Sequence, residues 1–147
     1  VISSLERYDP STNAWEEEAV APIPTARKYA GMAMLDGKLY AVGGMSEADG
    51  ATSNLVERYD LATKAWEAMA PLATARQAHG VAVLDGKLYV VGGYDGGHLR
   101  SVERYDPGSD AWEAVAPLTL ARFGAGVAAL EGKLYAVGGM SEADGAT

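Results

Sequence analysis

Residues 27–44 read RKYAGMAMLDGKLYAVGG, with an arginine at the start and a Gly-Gly pair at the end. The same frame occurs three times, beginning at Arg27, Arg76 and Arg122 and closing sixteen residues later at Gly43-Gly44, Gly92-Gly93 and Gly138-Gly139. Self-similarity of this kind is the mark of a repeat architecture, in which one structural unit is stacked several times. The frame therefore sets the fold class before any single residue is weighed.

Each frame contains two apolar segments of strand length, named A and B. Strand A is predicted at 31–35, 80–84 and 126–130, and strand B at 38–44, 87–93 and 133–139. Asp36-Gly37, Asp85-Gly86 and Glu131-Gly132 lie between them. Because an Asp-Gly pair between apolar strands favours a type I′ turn, in which both central residues need positive φ, the sequence predicts tight A–B hairpins.

An aromatic half completes each unit. The motif ERYD precedes each of Trp15, Trp66 and Trp112, with the tyrosine seven residues before the tryptophan. Strand C is predicted at 5–9, 56–60 and 102–106, a polar turn follows, and strand D begins at each tryptophan. Helix-length periodicity is absent. Each unit is thus expected to be a four-stranded antiparallel meander.

Small residues in strand A indicate how the sheets are arranged. Glycine and alanine crowd this strand, as suits strands that converge on an axis, and the repeat period is 46 to 51 residues. Four-stranded sheets arranged radially make a β-propeller. The recurring Tyr and Trp then predict packing between neighbouring blades rather than ligand contacts. The Gly-Gly pairs predict strand-end geometry rather than a phosphate cradle, because no helix follows them.

Composition excludes several classes of function. The chain has 147 residues, 20 acidic against 12 basic side chains and a net charge of −8, which disfavours nucleic acid or an anionic membrane as a partner. It has no cysteine, so disulfide and thiol chemistry are excluded. No apolar run reaches membrane-spanning length and no signal segment is readable. We expect a soluble chain of unknown localisation, cytoplasmic if it is made without an added signal.

The order Arg, Gly-Gly, Tyr, Trp at this spacing resembles the kelch repeat, and the resemblance covers essentially the whole chain. The copies are especially similar to the substrate-binding propellers of BTB-kelch ubiquitin-ligase adaptors, which are usually six-bladed. This resemblance implies an all-β kelch β-propeller. No BTB or BACK segment is present, and only three repeats occur. We expect one kelch-repeat domain over residues 1–147.

The number of repeats predicts self-association. The chain opens with strands C and D and closes with strands A and B, so two complete blades stand between two half blades, and one of three blades is split between the termini. Propellers close with four to eight blades. A homodimer would supply six, with each split blade completed across two chains. The segments 37–52 and 132–147 are identical over sixteen residues, which favours a designed origin over a fragment of a natural protein.

Two interpretations of function stay open. The first is a non-catalytic, self-assembling scaffold without a dedicated ligand. The second is a kelch module that binds a peptide or protein where the D–A and B–C loops meet. Variable loops on a rigid scaffold are common binding sites. The resemblance to the adaptor propellers, together with the loop pattern, gives the candidate ligand-facing residues Lys28, Tyr29, Met45, Gln77, His79, Tyr94, His98, Arg100, Phe123 and Met140.

Catalytic and metal chemistry find little support. His79 and His98 with Asp95 form at most a weak metal site, because two histidines without motif spacing are more typical of solvated loops. Glu47, Asp49, Glu142 and Asp144 could bind calcium only loosely, because neither Glu-x-Asp pair continues into the longer acid-x-acid alternation of calcium loops. No nucleophile has a base in motif context, and no phosphate loop is present. We therefore predict no metal, no cofactor and no enzymatic activity.

Overall fold

The computed structural model describes residues 3–16 and 21–141, and their regular secondary structure consists of β-strands. The fourteen strands are β1 (Arg7–Asp9), β2 (Ala14–Glu16), β3 (Arg27–Lys28), β4 (Gly31–Leu35), β5 (Lys38–Val42), β6 (Met45–Ser46), β7 (Val56–Asp60), β8 (Ala65–Ala68), β9 (Gly80–Leu84), β10 (Lys87–Val91), β11 (Val102–Asp106), β12 (Ala111–Val115), β13 (Gly126–Leu130) and β14 (Lys133–Val137).

Two sheets are complete four-stranded antiparallel meanders, as predicted. The first blade has the order β4-β5-β7-β8, and the second blade has the order β9-β10-β11-β12. Their registers match position for position, since Tyr40 lies opposite Arg58 in the first blade and Tyr89 lies opposite Arg104 in the second. The fold is therefore built from repeated copies of one supersecondary unit, as in a β-propeller.

Three further sheets among the described residues have two strands each: the short pair β3–β6 and two terminal hairpins. The N-terminal hairpin, β1–β2, carries strands C and D, and the C-terminal hairpin, β13–β14, carries strands A and B. In the part of the chain that the structure describes, neither hairpin pairs with another strand along its free edge. Strand C of the first unit is shorter than predicted: it begins at Arg7 rather than at Leu5.

The A–B turns have the predicted backbone conformation. Asp36 and Gly37 have φ values of 50° and 71°, and the corresponding pairs in the other two repeats repeat this geometry. Strand B, however, ends at Val42, Val91 and Val137, two residues earlier than predicted. The cause is the Gly-Gly pair itself, because both of its glycines have positive φ and leave the extended conformation. Strand D begins one residue before each tryptophan.

The blades meet most closely at strand A, as the small residues there predict. A Cβ atom added to Gly31 would lie 2.1 Å from Val81 Cγ2, and one added to Gly80 would lie 2.1 Å from Val127 Cγ2. These distances are far below van der Waals contact. Glycine at the first position of strand A is therefore what allows the next blade to approach.

Apolar packing between the first and second blades forms the main core. Tyr40 and Tyr105 meet edge to face with their ring centroids 5.7 Å apart. The other buried members of this cluster are Leu35, Val42, Val56, Leu72, Leu88 and Val90. This junction is the reference against which the two terminal hairpins can be compared.

The tryptophans also connect neighbouring units. The indole N–H of Trp66 donates to the Ala21 carbonyl and that of Trp112 donates to the Ala70 carbonyl, each at 2.8 Å. Each tryptophan thereby binds the loop that leads into its own blade. Trp112 also packs against the core cluster described above, whereas Trp15 in the N-terminal hairpin is 67% exposed.

Residues 3–16 and 21–141 contain no helical segment with the length and hydropathy of a membrane span.

Candidate functional site

The D–A and B–C loops meet at one end of the blades, here called the loop face. Short antiparallel contacts join them in every repeat: Arg27–Lys28 pairs with Met45–Ser46, Gln77 with Tyr94, and Phe123 with Met140. These pairings were not predicted, because each involves only one or two residues per strand. They bring most of the candidate ligand-facing residues onto a common surface.

An aromatic cluster stands on this face between the second blade and the C-terminal hairpin. It consists of Tyr94, His98 and Phe123, with ring centroids 5.7 to 6.0 Å apart. His98 stacks on Phe123 with an interplanar angle of 13°. Together with Gln77, the cluster lines a pocket of about 200 Å³. All four residues are among the ligand-facing residues predicted from the sequence, and the structure brings them together.

His79 does not belong to this surface. Its side chain is buried, with only 8% of the residue exposed, so the prediction of a solvated loop histidine is wrong for this position. The side chain fills space that three glycines leave open: a Cβ added to Gly31, Gly43 or Gly93 would lie 2.7 to 2.9 Å from His79 atoms. Burial, followed by the charge of Arg76, lowers the pKa of His79 from 6.5 to about 3.

The remaining candidates are spread over the face. Lys28 stacks over the exposed Tyr29 ring at 5.8 Å, and Met140 is exposed. Met45 is half-buried in its pairing with Lys28. Arg100 is exposed, and its Nε donates to the Leu118 carbonyl at 2.9 Å, which ties it to the neighbouring D–A loop. The contacts of Lys28, Met45 and Arg100 are thus made with residues outside the aromatic cluster.

Within residues 3–16 and 21–141, no group of three or more His, Cys, Asp or Glu side chains lies close enough together to hold a metal ion. His79 is buried under the glycines, while His98 packs on aromatic rings. Of the four acidic loop residues considered for calcium, Glu142 and Asp144 lie outside the described residues. Asp49 accepts a hydrogen bond from the Ala51 amide within its own turn.

The repeated arginines form buried polar sockets. Arg76 donates to the carbonyls of Gly92 and Ser101 at 2.8 and 3.0 Å and pairs with Glu103 at 2.5 Å. Arg27 makes the equivalent bonds to Gly43, Leu55 and Glu57. Its role as a structural repeat residue agrees with these contacts. The glutamate partner was missed, although its place in the repeated ERYD motif could have indicated it.

Electrostatics of the sockets follow from burial. The Arg76 side chain is fully buried, and this desolvation lowers its pKa below the usual value while the charge of Glu103 acts in the opposite direction. Arg27 shows the same balance with Glu57. Because a buried charge without a counter-charge is costly, each socket requires its carboxylate.

Comparison with known proteins gives the same family for nearly the whole length. The model of the KLHDC2/KLHL20/DRC7 Kelch-repeats domain matches residues 2–142. Kelch-like protein 35 of Mus musculus is 38% identical over 65 residues, and an F-box/kelch-repeat protein of Arabidopsis thaliana is 39% identical over 67 residues. Each alignment covers 44% of this chain, and 11% and 14% of the respective relative. The repeats, the sockets and this match lead to one conclusion: the chain belongs to the kelch-repeat family.

Proposed function

We propose that this chain is a non-catalytic scaffold that assembles with a second copy of itself into a closed six-bladed propeller. The observation that carries the proposal is the complementarity of the two terminal hairpins. One holds strands A and B and the other holds strands C and D, which are the two halves of the four-stranded order seen in both complete blades. Pairing them between two chains would produce a complete blade at each junction.

Exposure of apolar residues supports the same proposal. Tyr135 and Val137 on the C-terminal hairpin are 47% and 70% exposed, whereas Tyr40 and Val42, their equivalents in the first blade, are 1% and 0% exposed. Met34 on strand A of the first blade is also exposed. Open strand edges beside apolar side chains favour association. A closed ring of two chains removes both, with six blades within the range in which propellers close.

We also propose that this scaffold has a designed origin. The sixteen identical residues at 37–52 and 132–147 support a consensus-style design in which one loop and strand are written twice. A designed repeat needs no dedicated ligand, and its function is then the assembly itself.

Light scattering coupled to size exclusion tests the ring. We expect a species of twice the 15.3 kDa chain mass that stays constant across a dilution series. A folded monomer at all concentrations would overturn self-assembly. A mass that keeps growing with concentration would overturn the closed ring in favour of an open chain of copies.

The aromatic cluster favours a second candidate function, a kelch module that binds a peptide or protein at the loop face. Tyr94, His98 and Phe123 present large rings around a pocket of about 200 Å³, and aromatic residues dominate binding hot spots. The net charge of −8 favours a neutral or basic partner. Kelch-like relatives, including one that carries an F-box, are consistent with such a module.

A random peptide library displayed on phage provides the probe for this second function. We expect enriched peptides to bind the wild type and to lose most of their affinity when Tyr29, Tyr94 and Phe123 are replaced together by alanine. Enriched peptides that bind the triple variant equally well would show that the site lies elsewhere. A selection that enriches nothing would argue against a loop-face binding function.

A further inference from the structure

The third arginine socket differs from the other two. Arg122 donates to the Gly138 carbonyl at 2.6 Å, as Arg27 and Arg76 do to their own Gly-Gly pairs. Within the part of the chain that the structure describes, however, no carboxylate pairs with Arg122. The strand C that supplies this carboxylate in the other sockets is missing beside β14.

The missing carboxylate exists elsewhere in the same chain. Glu6 stands in the N-terminal ERYD motif at the position of Glu57 and Glu103, and it is exposed immediately before β1. In the complete blades, Ala41 lies opposite Glu57 and Val90 lies opposite Glu103. Transferring this register places Glu6 opposite Ala136 of β14, within reach of the Arg122 guanidinium.

We propose that Glu6 of a second copy completes the Arg122 socket, so that an ion pair between chains joins each split blade. The inference rests on the proposed ring and specifies which residues hold it together. In the second blade, the backbone amides of Ala73 and Thr74 donate to Glu103 at 2.7 and 3.2 Å. Thr119 and Leu120 are the equivalent residues before Arg122, so their amides would donate to Glu6. The socket would then be complete in all three repeats.

A cavity lies at the junction that the missing strand would complete. The junction of the second blade with the C-terminal hairpin contains an open space of about 330 Å³. Its lining includes the equivalents of the residues that pack around Tyr105 in the first junction, namely Tyr89, Val91, Val102, Leu118, Leu134 and Ala136. Tyr8 is the equivalent of Tyr105. Tyr8 of the second copy therefore fills this space and packs against Tyr89.

Trp15 supplies a third contact of the same kind. Trp66 and Trp112 donate their indole N–H groups to Ala21 and Ala70, which precede their blades. Ala116 is the equivalent of Ala70, and it lines the cavity. The exposed indole of Trp15 would thus donate to the Ala116 carbonyl of the other chain. The ion pair, the cavity and the indole hydrogen bond therefore all indicate the same occupant, which is the N-terminal segment of a second copy.

The N-terminal hairpin is ready to dock as a unit. Its Tyr8 hydroxyl already donates to Asn13 at 2.7 Å, and the Tyr8 and Trp15 rings lie 5.3 Å apart. Tyr105 and Trp112, at 5.0 Å, have the same relation in the complete second blade. Docking therefore requires little rearrangement within the hairpin.

Charge reversal in separate chains tests the ion pair. In Arg122→Glu, both junctions of a homodimer place two glutamates together, and in Glu6→Arg both place two arginines together. We expect each variant alone to dissociate at least about a hundredfold more easily than the wild type. An equimolar mixture should recover dimers, because one junction regains Glu6 with Arg122 and the other holds the same pair reversed.

Three results would be decisive against parts of this scheme. Dimers of undiminished stability in both single variants would overturn the ion pair while leaving the proposed ring intact. A monomeric wild type would overturn the ring itself. The double variant Arg122→Glu/Glu6→Arg has complementary charges at both junctions and is the control for the mixture. If this variant folds with wild-type circular dichroism and neither it nor the mixture assembles, the ion pair is contradicted.

Discussion

The hydroxyl of Tyr105 donates to the Asp110 carboxylate at 2.7 Å, whereas Tyr59, its equivalent in the first blade, has a buried hydroxyl without a hydrogen-bond partner among the described residues. The difference arises in the C–D turn, five residues after each tyrosine. Asn13 and Asp110 stand there in the N-terminal hairpin and the second blade, whereas Lys64 stands there in the first blade. Lysine has no acceptor atom. One repeat therefore lacks a bond that the other two possess.

Replacing the two tyrosines should have unequal effects. Tyr105→Phe removes a hydrogen bond to a charged acceptor, and we expect the free energy of unfolding to fall by about 1.5 kcal/mol. Tyr59→Phe removes a buried hydroxyl that has no partner, so stability should be unchanged or slightly higher. Urea unfolding at one fixed protein concentration measures both. Equal losses would contradict the assigned difference between the blades.

Lys64→Asn should stabilise the first blade. Asparagine offers the acceptor that Tyr59 lacks, and it tolerates the left-handed conformation of this residue, whose φ is 55°, better than lysine does. We expect a gain of about 1 kcal/mol in the free energy of unfolding. Repeating the substitution in a Tyr59→Phe background separates the two contributions. A gain that persists in full there would show that the hydrogen bond contributes nothing.

The buried socket should be far more sensitive than a surface ion pair of the same kind. Glu103→Gln leaves the fully buried Arg76 without its counter-charge, and we expect a loss of about 3 to 5 kcal/mol. Glu113→Gln is the matched control, because Glu113 pairs with Arg104 on the surface, where the loss should stay below about 1 kcal/mol. Thermal and urea unfolding compare the variants, and similar losses would refute the socket's structural role.

Burial of neutral His79 should make stability depend on pH. The pKa of this histidine falls from 6.5 to about 3 on folding, so between these values the unfolded chain binds a proton that the folded chain does not. Stability should therefore fall as the pH is lowered from 6.5, by up to about 1.4 kcal/mol for each pH unit.

His79→Ala provides the control for this slope. Alanine occupies the equivalent positions 30 and 125, so the backbone accepts it, although a cavity is left behind. The variant should be less stable at pH 7 but should lose little further stability between pH 6.5 and 5. An unchanged slope in urea unfolding would assign the pH dependence to other groups.

Cysteine pairs can test the register of the split blade, because the chain has no cysteine of its own. Tyr40 and Tyr89 lie opposite Arg58 and Arg104, which predicts Tyr135 opposite Arg7 between two chains. Directly opposed residues have Cα atoms within disulfide distance. Mild oxidation of Tyr135→Cys/Arg7→Cys should give covalent dimers on non-reducing gels. Ala136→Cys/Arg7→Cys, whose side chains would face opposite sides of the sheet, should not.

Much of the fold could be predicted because local rules govern it. The A–B hairpins follow from Asp-Gly chemistry, and the strands follow from short apolar segments. The Gly-Gly pairs were assigned to strand B because their apolar context conceals the positive φ of Gly43 and Gly44. His79 was misjudged for a different reason. Its burial depends on glycines in two blades, which only the assembled structure brings around one side chain.

The candidate site was likewise predictable only where local sequence determines it. Tyr94 and Phe123 were found because they follow repeat landmarks that lead into loops. Their stacking with His98 could not be predicted, since it joins two blades whose relative position no local pattern encodes. The sockets of Arg27 and Arg76 were anticipated only as structural positions. Pairing with a glutamate thirty and twenty-seven residues away is a property of the blade, not of the motif.

Main-chain hydrogen bonds connect the loop face from repeat to repeat. The Ala78 amide donates to the Tyr29 carbonyl at 2.9 Å, and the Gly124 amide donates to the Ala78 carbonyl at 2.8 Å. All three residues have positive φ, yet their side chains range from a phenol ring to a hydrogen atom. Because this series depends on backbone atoms alone, selection can change the chemistry of these positions without loosening the fold, and new recognition specificities can evolve there at little structural risk.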